Sequence, residues 1–160
     1  MSADAWIGQF VLESWKIEGI DLLNKINDWE KFTEFHQMIF EQDVIRSSDM
    51  IMAASLFTNG IGRLRNCKGM DVSVGDHCPP RGGPGLTFEL DAILSCANAR
   101  LYSAYDVHHK YETLHPFMDG NGRTGRMLWA WMMEKAGNER YWRQIGFLHT
   151  FYYQTLQESR

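Results

Sequence analysis

The sequence has few cysteines and prolines, no long apolar run and no excess of basic residues. Its 160 residues include three cysteines, Cys67, Cys78 and Cys96, and no two of them have the spacing of a zinc knuckle. This usage predicts reduced thiols in a cytoplasmic protein instead of a disulfide framework. The longest apolar runs, residues 50–57 and 127–133, are far shorter than the roughly 20 residues of a membrane span. We therefore expect no membrane partner.

Acidic residues outnumber basic residues, with 20 Asp and Glu against 16 Lys and Arg, so the net charge is −4. A domain that coats nucleic acid usually has the opposite sign, and we expect no nucleic-acid partner. No basic stretch followed by an apolar stretch begins the chain, so no secretory signal is predicted. Length and the ordinary apolar content of 44% favour a single domain over residues 1–160.

Most of the sequence repeats apolar side chains every three or four residues, which predicts an all-α fold. The predicted helices cover residues 3–17, 28–39 and 50–58, one long helix over 87–114, and a last helix from about residue 123. Ser and Asp residues before the first apolar positions suit helix N-caps.

Residues 60–85 interrupt the helical pattern. The stretch is rich in glycine and contains three of the four prolines, and Pro79-Pro80 cannot lie inside a helix. Val72 and Val74 alternate with polar residues, as in one short strand or one arm of a hairpin. We therefore expect a functional loop carried on a helical body.

Residues 115–126, HPFMDGNGRTGR, have the pattern of an anion-binding loop. Pro116 disfavours a helical conformation at His115, so the preceding helix should end there. Gly120 and Gly122 permit positive φ, and successive N–H groups can then converge on an anion. The helical pattern resumes directly afterwards, so the anion would lie at a helix N-terminus, where the dipole favours it.

The charged side chains of this segment predict a polyphosphate ligand. Arg123 and Arg126 are three residues apart and share one helix face. Two guanidinium groups beside an anion site suit a polyphosphate better than a single carboxylate. Asp119 adds one carboxylate, and magnesium bound to nucleotide phosphates needs only one or two. His115 can titrate near neutral pH and is the candidate general base.

The segment fills every specified position of the signature His-x-Phe-x-(Asp/Glu)-Gly-Asn-Gly-Arg-x-x-Arg, and the chain therefore resembles the Fic domain family. The run His108-His-Lys-Tyr-Glu-Thr-Leu114 also resembles the helix that leads into that signature. The resemblance implies a helical bundle with a small β-hairpin flap over the active site, at residues 60–85. We expect a target protein to align along the flap edge near Val72 and Val74 by main-chain hydrogen bonds.

Fic enzymes of this kind transfer AMP from ATP to a Ser, Thr or Tyr hydroxyl of a protein and release pyrophosphate. By resemblance, His115 would deprotonate the target hydroxyl and Asp119 would hold Mg²⁺. The nucleotide-binding residues would be Gly120, Asn121 and Gly122 around the α- and β-phosphates, Arg123 at the β-phosphate and Arg126 at the γ-phosphate.

Residues 1–20 contain a second match. Ser14-Trp-Lys-Ile-Glu18-Gly19 is similar to the inhibitory motif (Ser/Thr)-x-x-x-Glu-(Gly/Asn) on a helix of autoinhibited Fic proteins. Glu18 would then pair with Arg126 and occupy the guanidinium that should hold the γ-phosphate. The alternative is a solvated Glu18 at a helix end with Gly19 as an ordinary cap.

Two other functions stay open at this point. A hydrolase could use Glu18 to orient water and remove AMP from a modified protein, and a nucleotide-binding module could have lost turnover. The sequence fixes neither the target nor the nucleotide base, and relatives often form homodimers. Arg63, Arg65 and Arg81 are expected to be surface residues. His108 is expected to be buried.

Overall fold

The computed structural model describes residues 3–137, with side chains from residue 6 onward. In this range the helices are α1 (Ala3–Ile17), α2 (Ile26–Glu41), α3 (Ser47–Phe57), α4 (Gly85–Asn98), α5 (Ala104–Leu114) and α6 (Asn121–Lys135). The prediction of an all-α class is confirmed for these residues. No helix among them is both long and apolar enough to cross a membrane. The three cysteines are unpaired.

The chain divides into two compact units. One contains residues 3–42 and 130–137 of the described part, and the other is Asp43–Trp129. The prediction of one domain over residues 1–160 stays a prediction, and residues 138–160 lie outside the described part.

In the first unit, α1 packs on α2 through aromatic side chains. The rings of Trp15 and Phe32 stack with their centroids 4.7 Å apart. The Trp29 indole N–H donates to the Gly8 carbonyl oxygen over 3.1 Å. A Cβ on Gly8 would lie only 2.7 Å from the Trp29 ring, so this close approach of the two helices requires glycine.

The prediction of a single helix over residues 87–114 is wrong, because the chain leaves helical conformation between α4 and α5. Arg100 has φ 53°, and the Leu101 N–H donates to the Cys96 carbonyl oxygen over 3.1 Å. This is a Schellman ending with a residue other than glycine in the left-handed position. Ser103 then caps α5, since its hydroxyl oxygen accepts the Asp106 N–H over 3.1 Å.

Four helices begin two or three residues before their predicted starts. They start at Ile26, Ser47, Gly85 and Asn121. At α3, the Asp49 carboxylate accepts the Arg46 backbone N–H over 2.7 Å, so Asp49 belongs to the first turn and is not the cap.

The predicted β-hairpin flap is not present as two strands in the described residues. Within residues 60–85, Val74 and His77 form one isolated antiparallel bridge with each other. They exchange two N–H···O bonds of 3.0 Å around a turn that contains Gly75. The next hydrogen-bonded pair of the ladder would join Val72 to Pro79. Proline has no N–H to donate, so the pairing stops after one step.

Candidate active site

His115 forms the C-cap of α5. Its backbone is left-handed, with φ 49° and ψ 63°, and its N–H donates to the Tyr111 carbonyl oxygen over 2.9 Å. The following Pro116 cannot continue the helix, so the chain turns away at His115 as the sequence predicts. A left-handed residue other than glycine persists only where its surroundings hold it in that conformation. At His115, the hydrogen bonds of the following loop hold the main chain.

The loop after His115 pairs with residues 63–65, near the start of the glycine-rich stretch. The Arg65 N–H donates to the Pro116 carbonyl oxygen and the Met118 N–H donates to the Arg63 carbonyl oxygen, each over 2.9 Å. These bonds frame an antiparallel bridge between Leu64 and Phe117. The main chain of the signature loop is therefore anchored directly after its histidine.

Asn121 closes the same loop with its side chain. Its amide oxygen accepts the Phe117 N–H over 2.8 Å, and its amide nitrogen donates to the Phe117 carbonyl oxygen over 2.7 Å. The side chain is buried, with 2% of the residue exposed. Both ends of the amide thus bind the loop, so a phosphate contact of Asn121 would come from its backbone N–H.

The loop ends at the N-terminus of α6. Gly120 has φ 84°, and a Cβ there would lie 2.9 Å from the methyl carbon of Thr58. The Thr124 hydroxyl donates to the Gly120 carbonyl oxygen over 2.9 Å. Since the first N–H groups of a helix lack partners within it, this start of α6 presents donors to an anion.

Arg123 and Arg126 lie in the first turns of α6 and are 6% and 3% exposed. The Nη1 atom of Arg123 donates to the Phe57 carbonyl oxygen at the end of α3, over 2.5 Å. Its Nη2 atom lies 3.5 Å from Oδ1 of Asp119. Arg123 therefore also braces the loop, a contact that the sequence did not predict.

Asp119 lies at the exposed side of the loop. Its side chain is 52% exposed, and Oδ1 accepts the Gly120 N–H over 2.6 Å. The described residues contain no cluster of three or more His, Cys, Asp or Glu suited to a metal ion. One accessible carboxylate still fits Mg²⁺, which takes most of its ligands from water and phosphate oxygens in nucleotide sites.

Glu112 of α5, for which the sequence predicted no role, lies near two histidines. Oε2 of Glu112 is 3.9 Å from Nδ1 of His115, and Oε1 of Glu112 is 3.8 Å from Nε2 of His108. His108 is fully buried, as predicted. The spacing of four and three residues along one helix could have suggested this cluster.

Arg65 is not a surface residue, and that prediction is wrong. It is fully buried. Its guanidinium donates over 2.8–3.1 Å to four main-chain carbonyl oxygens, those of Met70, Pro80, Leu114 and His115. Burial lowers the pKa of Arg65, and the nearby Asp71 carboxylate opposes this shift.

The predicted inhibitory residues belong to the end of α1. Ser14 is buried and Glu18 is exposed. Gly19 has φ 72°, and the Ile20 N–H donates to the Trp15 carbonyl oxygen over 3.0 Å, which is a Schellman cap. Capping by Gly19 is thus present, and pairing of Glu18 with Arg126 stays a prediction.

The predicted docking residues of the flap are half-buried. Val72 and Val74 each have intermediate exposure, and Ser73 between them is exposed. This alternation agrees with an extended segment that has one face against the protein.

In the described residues, His115 ends α5 and α6 starts six residues later, at Asn121. Residues 28–133 match the Fic/DOC family, and the chain belongs to it. A relative named protein adenylyltransferase Fic, from Drosophila persimilis, is 40% identical over 78 residues, which cover 41% of this chain and 14% of the relative. The Aedes aegypti protein of the same name is 39% identical over 74 residues, with the same coverage. No solved structure matches.

Proposed function

We propose that this protein is an adenylyltransferase, which transfers AMP from ATP to a Ser, Thr or Tyr hydroxyl of a target protein. The observation that carries the proposal is the position of His115, which ends α5 where the loop leads into the N-terminus of α6. A base and an anion site are thereby joined by one short, anchored loop. The name of the relatives supports the same reaction, although the matched region is only 14% of their length.

In this reaction His115 accepts the proton of the target hydroxyl, whose oxygen attacks the α-phosphorus. The bond from the α-phosphorus to the bridging oxygen breaks, and pyrophosphate leaves. Backbone N–H groups of residues 120–122 and the guanidinium groups of Arg123 and Arg126 hold the phosphates. The rate gain comes mainly from positioning and from neutralised charge.

Asp119 is the residue that would hold Mg²⁺. When bound, the ion neutralises part of the phosphate charge. The Asp119 carboxylate already accepts the Gly120 N–H and is oriented toward the helix start by that bond. The side chain is half exposed, so the carboxylate is accessible from solvent.

His115→Ala tests the proposal. The rate of AMP incorporation from ATP labelled on the α-phosphate should fall by about 10²–10⁴, because the general base is lost. ATP affinity, measured by calorimetry, should stay within about twofold. His109→Ala, a change on the same helix, is the matched control and should label targets as the parent does.

Equal labelling by His115→Ala and the parent would reject the base assignment. The products separate the other functions. Pyrophosphate indicates transfer, AMP released from a modified protein indicates a hydrolase, and ATP binding without either product indicates a binding module.

We also propose that Glu18 restrains the transferase by competing with the γ-phosphate for Arg126. What supports this is the match of residues 14–19 to the inhibitory motif and the exposure of Glu18 at the end of α1.

The target would dock along the edge formed by Val72 and Val74.

A further inference from the structure

We infer that Glu112 is a positioning residue for His115, which sets the tautomer of its ring and stabilises the ring when it is protonated. This inference rests on the proposed function, because it concerns the base of the same reaction. Glu112 itself touches neither nucleotide nor target and acts through the histidine.

The geometry places one carboxylate between two imidazoles. Glu112 lies 3.9 Å from Nδ1 of His115 and 3.8 Å from Nε2 of His108. The three side chains are largely buried, with 11%, 16% and 0% exposed. A buried carboxylate is costly unless it is paired, so partners that can carry positive charge stabilise it there.

Helix α6 leaves room for this carboxylate. A Cβ on Gly125 would collide with Oε1 of Glu112 and lie 3.0 Å from both Cε1 of His108 and Cδ1 of Tyr111. Glycine inside a helix is less favourable than alanine. Gly125 is therefore a helical glycine at the position that faces the Glu112 carboxylate.

The atom of His115 that faces Glu112 decides the tautomer. A carboxylate next to Nδ1 favours a proton on Nδ1, and the lone pair is then on Nε2, available to the target hydroxyl. When Nε2 accepts the hydroxyl proton, the ring becomes an imidazolium and the Glu112 charge stabilises it. The proton leaves to water after the product departs. Such contacts are often long before substrate binds.

Other polar groups lie along α5 and at its end. Nε of Arg65 lies 2.8 Å from the His115 carbonyl oxygen, and its positive charge opposes protonation of the ring. Burial raises the pKa of Tyr111 well above its usual range, so that hydroxyl stays neutral. Nε2 of His77 lies 2.9 Å from the carbonyl oxygen of residue 113. His108 shares the carboxylate with His115.

The test compares Glu112→Gln, which keeps shape and removes charge, with Glu89→Gln, an exposed glutamate of α4. The titration of the His115 ring is followed by NMR, its signal assigned by its loss in His115→Ala. In Glu112→Gln the midpoint should move to lower pH by about 0.5–1 unit, because the imidazolium loses a favourable charge. In Glu89→Gln it should not move.

The labelling rate provides the second measurement. In Glu112→Gln, kcat should fall about 10–100-fold with KM for ATP unchanged, and the acid limb of the pH–rate profile should move with the NMR midpoint. Gly125→Ala keeps the charge and displaces the carboxylate, so the same two changes are expected. Gly125→Ala also decides the matter if Glu112→Gln does not fold.

An unchanged midpoint in folded Glu112→Gln, or a midpoint that moves equally in Glu89→Gln, would overturn the inference. The failure of the proposed function looks different. The parent would then label no protein, and the NMR midpoint would still decide whether Glu112 acts on His115.

Discussion

Arg65 joins three parts of the second unit through main-chain oxygens. It binds the carbonyl groups of Met70 and Pro80 in the glycine-rich stretch and those of Leu114 and His115 at the end of α5. Its own backbone pairs with Pro116. One buried cation therefore fixes the main chain on which His115 takes its left-handed conformation.

Arg65→Lys should destabilise the protein by about 2–3 kcal/mol. A lysine has a single nitrogen and cannot replace a planar fork that reaches four oxygens. Main-chain carbonyl groups, including the buried one of Leu114, would therefore lose their donors. The free energy of unfolding in urea is the measurement. Arg63→Lys, at an exposed neighbour, should change it by less than about 0.5 kcal/mol. Equal effects of the two changes would show that the four bonds contribute little.

The sequence predicts the composition of the loop but not the groups that support it. His115 and the glycines stand in one short signature, and their chemistry can be derived from residue type and spacing. The partners of Arg65 at the end of α5 are 49 and 50 residues away along the chain. Arg63 and Arg65 look alike in sequence, and only the folded pairing buries one of them.

Helix existence follows from the apolar spacing, and helix ends depend on local capping. Apolar spacing does not predict the break between α4 and α5, because the spacing continues across it. The signal that could have revealed it is Ser103 followed three residues later by Asp106, which is a helix start. Arg100 in a left-handed cap has no comparable sequence signal.

The bridge between Val74 and His77 determines which backbone N–H is available to a docked target. The Val74 N–H already donates to the His77 carbonyl oxygen. Neighbouring residues of a strand direct their N–H groups to opposite sides, so the N–H on the outer side belongs to Ser73. Ser73→Pro should lower target labelling at least about tenfold and leave ATP affinity unchanged, if targets add as a strand at this edge. Labelling of a purified target and calorimetry with ATP give the two values.

Ser73→Ala is the control, because it keeps the N–H and should label like the parent. Val74→Pro breaks the bridge itself and should lower labelling as well. Full labelling by Ser73→Pro would rule out docking through this edge.

At the scale of the whole molecule, the proposed restraint links the motif of residues 14–19 to the signature of residues 115–126. Glu18→Gly should raise AMP incorporation, including self-labelling, about tenfold to a hundredfold, because a charge-assisted hydrogen bond contributes about 1.5–3 kcal/mol. Glu41→Gly, at the end of α2, is the control and should leave the rate unchanged.

Arg126→Ala should stay weak, since it removes the clamp of the γ-phosphate, and the double variant should be as weak as Arg126→Ala alone. The rates of the three variants beside the parent give the answer. An unchanged rate in Glu18→Gly would reject the restraint and leave the assignment of His115 intact.

The bonds from Arg65 to the end of α5 also have a consequence for folding. They close a loop of about fifty residues, and closing such a loop has an entropic cost that no contact within a single helix has to meet. Helices α3, α4 and α5 can each form from neighbouring residues. The geometry around His115 forms only when the chain between residues 65 and 115 has been brought together. It therefore depends on contacts between distant residues, and a higher contact order slows folding.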